Sequence, residues 1–194
     1  FVGGVVSIQT AFNMTNPLLP SYLVGLASRD SLILEFSPTM ISLILAGKVG
    51  SSIASEIGTM RVTEQIDALE IMGVNSASYL IFPKIIASIF FFPILVILSM
   101  GIGMIGAWVG ALSAGITTIE FLSGLKYDFN SFYVTYAIIK TIFFAFIISS
   151  VSAYFGFYTK GGAIAVGKAS TQAVVSSSIL ILICNYILTD LILS

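Results

Sequence analysis

The sequence predicts an all-α, polytopic membrane protein, and three observations carry that prediction. Hydrophobic residues make up 57% of the chain and charged residues 9%, against about 25% charge in soluble domains. A chain of this composition cannot present a water-facing surface all round. Residues 85–119 hold no charge at all, a run longer than the roughly 20 apolar residues a membrane helix needs. The charges that do occur are concentrated. The chain has 8 basic and 9 acidic residues, and Glu56, Arg61, Glu64, Asp67 and Glu70 all fall inside one short stretch, "EIGTMRVTEQIDALEIMG".

About five transmembrane helices follow from the hydropathy pattern. Phe1 to Met14 is apolar but too short to cross alone, and reads as the second half of a first span that begins before this sequence. "NPLLP" (Asn16 to Pro20) breaks that helix. A second span is expected over about Leu32 to Ser55. The charged stretch follows, and then a third span over about Leu80 to Leu112, with a possible bend at Pro93. A polar stretch from Glu120 to Ser131 leads to a fourth span, about Phe132 to Tyr158. "TKGGAIAVGKAS" (Thr159 to Ser170) reads as a loop before a fifth span from about Thr171 to the end.

Lysine and arginine set the orientation. With the charged stretch in the cytoplasm, the inner ends carry Arg61, Lys84, Lys160 and Lys168, and the outer loops carry Arg29 and Lys126. The charged stretch itself patterns as one amphipathic helix. From about Thr59, Val62, Ile66, Leu69 and Gly73 share a face, and Glu64, Asp67 and Glu70 lie on the flank and far side. Gly73 is a natural C-terminal stop. A solvated loop helix would account for the composition. An acidic helix is nevertheless a poor lipid binder beside a negative inner leaflet, and is better suited to a groove on a soluble partner.

Several function classes are excluded or weakened. A net charge of −1 offers no clustered basic face for nucleic acid. The single cysteine, Cys184, rules out an internal disulfide and a cysteine metal cluster, and histidine is absent, so no metal site is expected. Lipid-modifying enzyme chemistry lacks residues, since there is no histidine and no G-x-S-x-G elbow. "GIGMIG" (Gly101 to Gly106) fits the dinucleotide fingerprint, but no strand precedes it and no acidic residue follows at the required distance. It reads as helix packing, as does the spacing of Gly47, Gly50, Ala54 and Gly58 in span two and of Gly103, Gly106 and Gly110 in span three.

Two charges lie within apolar spans: Glu35, just before Pro38, and Lys140. An uncompensated charge at mid-membrane costs roughly 2.5–3.5 kcal/mol on insertion scales, so both should face protein or a wet cavity. They either pair, fixing helix order, or line one polar cavity. Gln9 and Asn13, four apart on one face, either hydrogen-bond to a neighbouring helix or line the same cavity.

"AGKVGSSIASEIGTMRVTEQIDALEIMGVNSASYLIFPKIIA" (Ala46 to Ala87) closely resembles the central motif of the MlaE/YrbE permease family. "LEFSPTMISLILAGKVG", "IIKTIFFAF" (Ile138 to Phe146) and "GGAIAVGKASTQAVVSSS" (Gly161 to Ser178) extend the resemblance over nearly the whole chain. The family comprises membrane subunits of ABC transporters that move phospholipids between membranes. The resemblance implies one permease domain over 1–194, with an N-terminal interfacial helix and the start of span one lying outside it. It implies that about 57–73 is a coupling helix docking into an ABC ATPase subunit through Glu56, Arg61, Glu64, Gln65, Asp67 and Glu70. It places Glu35 and Lys140 near a lipid cavity between two permease copies. That cavity should be apolar, and Phe36, Met40 and Leu43 of span two and Phe144 of span four are candidates for its lining. Implied partners are the ATPase, an MCE-domain substrate-binding protein, sometimes a STAS-domain subunit, phospholipid and a second copy. ATP and magnesium would belong to the ATPase, leaving this chain without a cofactor. The implied location is the bacterial inner membrane, the plastid inner envelope being the alternative. A secondary transporter, or a membrane scaffold with no ATPase, is the competing reading; five spans do not divide into the matching halves of an inverted repeat.

Overall fold

A computed structural model describes residues 1–14 and 20–193, with Leu193 described by its backbone alone. Most of the expected "NPLLP" break lies outside the described residues. Those residues form helices and no strand. In chain order the helices are α1 (Val2–Asn13), α2 (Tyr22–Val62), α3 (Gln65–Ile71), α4 (Ser76–Ser113), α5 (Thr118–Lys126), α6 (Phe132–Phe157) and α7 (Ala163–Leu193). Four of them, α2, α4, α6 and α7, are long and apolar enough to cross a membrane. The 12 residues of α1 rise only about 18 Å. The described residues therefore hold four full spans, where the hydropathy pattern gave about five with one of them partial.

Several expected boundaries are corrected. Span two does not begin at Leu32: α2 covers 41 residues from Tyr22. It passes through Pro38 because the backbone widens to five-residue turns over Leu32–Met40 and again over Ala46–Gly50, and a wide turn absorbs a residue with no N–H to donate. In α4 the helix runs unbroken through Pro83 and Pro93. The expected loop Thr159 to Ser170 is mostly helix, since α7 starts at Ala163 and only residues 158–162, with Gly161 at φ +116°, separate it from α6. "AIAVGKAS" is small and helix-compatible, and one lysine does not make it a loop.

The polar stretch from Glu120 is likewise not bare loop. Thr117 caps α5 with a reciprocal box: its hydroxyl accepts from the Glu120 N–H, and the Glu120 carboxylate accepts from the Thr117 N–H at 3.0 Å. These bonds, first from the Thr117 side chain and then from its backbone, hold the exposed Glu120 carboxyl below the usual glutamate range.

The chain forms two compact units. The first comprises Phe1–Ile41 and Ile94–Ile139. Here α1 lies directly on α4: a Cβ on Gly3 would strike the Gly103 carbonyl, and one on Gly110 would stand 2.5 Å from the Gly4 oxygen. At the other side of α2, Gly25 and Gly124 bring its first turns onto α5 with backbone against backbone. Arg29, 2% exposed, fastens this corner. Its guanidinium donates to the carbonyls of Leu125 (2.9 Å) and Tyr127 (2.8 Å) at the end of α5, pairs with Asp30, and lies 5.5 Å from the Phe129 ring. The α5 face buries Phe121 against Leu32, Ala107 and Ala111. A second cluster joins Ile33, Val96, Met100 and Ala137.

The second unit comprises Ser42–Pro93 and Lys140–Ser194. Its core packs Ala46 of α2, Phe92 of α4, Phe144, Ala145 and Ile148 of α6, and Ile181 and Leu188 of α7. Gly156 allows α6 to touch the α2 backbone at Ala54, and Gly50 admits the Ser152 hydroxyl. A separate cluster at the end of α2 joins Ile53, Ile57, Ile66 and Ala153.

Two outcomes are expected. Gly110→Ala drives a methyl into backbone that cannot yield, and should destabilise the detergent-solubilised chain by about 1–3 kcal/mol. Gly47→Ala, which meets nothing within 4 Å, should be neutral or stabilising by up to about 1 kcal/mol in the same denaturation assay. The depressed Glu120 value has a defined sign. The cap is intact above the ordinary glutamate range and is lost as pH falls through the lower folded value. The protection factors of amides in the first turn of α5, exchange rates taken relative to the intrinsic rate at each pH, should therefore fall on acidification through the folded Glu120 value, and should show no such step in Glu120→Gln.

Candidate functional site

The charged stretch does not form the single helix expected over 57–73. Ile57 and Gly58 belong to α2, which ends at Val62. The chain then reverses at Glu64, held in the left-handed region at φ 61°, ψ 14°, and α3 spans only Gln65–Ile71. A non-glycine residue in that conformation costs roughly 1–3 kcal/mol and persists only where its surroundings impose it. What imposes it is Ile66, fully buried against Ile53, Ile57 and Ala153. A straight helix running on from Val62 would carry Ile66 away from that pocket.

Polar contacts then fix the corner. Arg61 pairs with Asp67 at 2.6 Å, joining the end of α2 to α3, and its guanidinium lies 5.6 Å from the Phe157 ring. The Ser76 hydroxyl donates to the Glu70 carboxylate at 2.8 Å, tying α3 to the start of α4. Lys84 of α4 pairs with Glu56 of α2 at 2.7 Å. Gly73, at φ +78°, ends the turn after α3. Of the six residues singled out for coupling, Glu56, Arg61, Asp67 and Glu70 thus have partners within this corner, and Glu64 and Gln65 are exposed. Beside them, Ile71 and Met72 stand 87% and 68% exposed. Sequence reasoning passed over these two because it counted charge, although an apolar pair just before Gly73 is visible in "EIMG". It also missed Ser76 as a partner for Glu70. The arrangement is a solvent-facing knob, tied to α2 and α4 by these contacts, with an acidic side and an apolar tip.

The intramembrane residues are distributed as follows. Lys140 is fully buried in the second unit, at the boundary residue of α6. Glu35 is half-buried in the first unit, inside the widened turns of α2, with the Thr39 hydroxyl 3.5 Å from its carboxylate. Phe36 packs against the Leu32, Ala107 and Phe121 cluster. Leu43 and Phe144 pack in the core of the second unit. Met40 is exposed, as are Gln9 and Asn13 on α1. Among the glycines, Gly103 and Gly106 lie under α1, Gly58 lies against Val166 and Thr159, and Gly47 faces open space. Among the described residues, no group of three or more acidic or cysteine side chains is placed to hold a metal ion.

Comparison with known proteins is consistent across nearly the full chain. The family model described as Permease MlaE matches residues 1–191. A probable ABC transporter permease protein of Rickettsia bellii is 46% identical over 98% of this chain and 74% of its own length. A second one so named, from Synechocystis, is 38% identical over 97% of this chain and 72% of its own. The chloroplastic protein TRIGALACTOSYLDIACYLGLYCEROL 1 of Arabidopsis thaliana is 34% identical over 98% of this chain and 54% of its own. With four membrane-length helices and a family match from end to end, this chain belongs to the MlaE permease family.

Proposed function

We propose that this chain is the membrane-spanning subunit of an ABC transporter that moves phospholipids between membranes, working as a homodimer and driven by a separate ATPase. The observation that carries the reading is the knob at the end of α2. Three polar contacts and a buried isoleucine hold it in place, while Glu64, Gln65, Ile71 and Met72 are presented outward. A knob tied in this way to the end of a membrane helix transmits a push, which a floppy loop would absorb. Exposed large apolar residues beside acidic ones also fit a groove on a soluble protein better than an anionic leaflet.

The motor must be another chain. The nearest approach to a phosphate-binding loop, Gly162 to Ala169, has alanine where serine or threonine is required and is helical from Ala163 onward. Relatives named as ABC transporter permeases support an ATPase partner. A relative named for trigalactosyldiacylglycerol supports a lipid cargo. The exposed apolar side chains of α4, among them Phe82, Phe90, Ile94 and Ile97, suit lipid or a second copy. Glu35, half-buried, and Lys140, fully buried, are the ionisable groups we assign to the lipid path, since charge within an apolar span is costly to retain without a use. An MCE-domain protein on the outer face and a STAS-domain subunit complete the expected assembly, in a bacterial inner membrane.

Charge reversal at the knob tests the coupling. Glu64→Lys should lower the ATPase recovered with the affinity-purified chain by about tenfold, ~1.4 kcal/mol, with the chain's own melting unchanged. Undiminished recovery would remove the knob from the interface. Asp67→Lys is less informative, because it breaks the pair with Arg61 and disturbs the corner itself. For the lipid path, Lys140→Ala should impair vesicle-to-vesicle lipid transfer while ATPase assembly survives. Normal transfer by that variant would exclude Lys140 from the route.

A further inference from the structure

We propose that the groove between the end of α6 and the start of α7 binds the phosphate headgroup of an anionic lipid drawn from the cytosolic leaflet. The groove encloses about 360 Å³, a volume typical of small-molecule sites. Its cationic side is Lys160 and Lys168, with Gln172 beyond them, and its other wall is Tyr154, Phe155 and Tyr158. Both lysines are exposed, and among the described residues no carboxylate pairs with either. The Thr159 hydroxyl is already spent on the Phe155 carbonyl at 2.7 Å, so the charge offered to a ligand is that of the lysines.

Position selects the occupant. The groove straddles the link between two membrane-length helices, Phe132–Phe157 and Ala163–Ile192, and so lies at the water boundary of the bilayer. Within the second unit it shares an end with the charged corner. Gly58 of α2 approaches Thr159 and Val166, and the Ser170 hydroxyl donates to the Ser51 carbonyl at 3.2 Å. That end collects Arg61, Lys84, Lys160 and Lys168 and therefore faces the cytosol. Anionic phosphate is abundant at that boundary, and each nearby lysine strengthens its binding about fivefold. The aromatic wall distinguishes a lipid from a free anion. The Tyr154 and Tyr158 rings lie 4.9 Å apart and are 60% and 63% exposed. An interfacial aromatic surface of this sort packs against glycerol and the upper acyl chain, for which inorganic phosphate has no counterpart. The proposal needs only the cytosolic orientation of this end, and does not depend on what the protein transports.

The test titrates the detergent-purified full-length protein with short-chain phosphatidylglycerol, matched phosphatidylcholine and inorganic phosphate, reading retained adducts by native mass spectrometry. Phosphatidylglycerol should bind more tightly than phosphatidylcholine. Lys160→Gln with Lys168→Gln should weaken it by about 25-fold, at about fivefold per lysine, and Lys160→Arg with Lys168→Arg should retain it. Ala165→Trp, which fills the groove without touching its charge, should also abolish binding. Equal affinity for the two lipids, or undiminished phosphatidylglycerol binding in either the double glutamine or the tryptophan variant, would overturn the proposal. So would inorganic phosphate binding as tightly as the lipid, which would make the site one for a free anion.

Discussion

Helices that share a bilayer receive no hydrophobic push toward one another, because lipid tails are as apolar as leucine. What remains is contact, and contact is strongest where side chains are removed and backbones touch. This constraint organises both units. In the first, Gly3, Gly4 and Gly110 let α1 lie on α4, and Gly25 and Gly124 let α5 close on α2. In the second, Gly156 and Gly50 seat α6 against α2. The large residues that would crowd these seams are displaced outward, which is why so many phenylalanines and isoleucines of α4 and α7 are exposed. In water such a surface would mark an error; in hydrocarbon it is the ordinary exterior.

A second demand, polar satisfaction, decides the ends of the helices. Where the chain leaves hydrocarbon its last carbonyls and first amides need partners, and the chain supplies them from charged side chains: Thr117 with Glu120 at the start of α5, and Arg29 at its end. The same economy appears at the α2–α3 corner, where Arg61, Glu70 and Lys84 serve structure first. That leaves a small outward set for recognition. Charge count alone overstates how much of this corner can meet a partner.

Much of the fold was legible in the sequence, and the failures have physical causes. Hydropathy placed α6 to within one residue at each end and α4 to within four at its start, because a bilayer leaves few alternatives to an apolar helix. The start of α2 was misjudged because Tyr22 to Ser31 is polar enough to resemble loop, yet it packs on α5 through Gly25. The break at Glu64 carries no proline, glycine or asparagine to announce it; burial of Ile66, a tertiary effect, forces it. The α5 box was in plain view as Thr-x-x-Glu at Thr117 to Glu120, and was passed over because a polar stretch between spans invites the word loop. At the candidate sites, residue types were informative and pairings were not. Glu70 with Ser76, and Lys84 with Glu56 at a separation of 28 residues, depend on a chain reversal that no local pattern encodes.

The Arg29 latch bears on how the protein is made. Its two carbonyl acceptors lie 96 and 98 residues further along the chain. At synthesis rates of about 5–20 residues per second, they emerge roughly 5–20 s after the arginine does. Of the groups its guanidinium meets in the folded protein, only Asp30 has been made by then. The corner between α2 and α5 therefore cannot close until α5 has been synthesised.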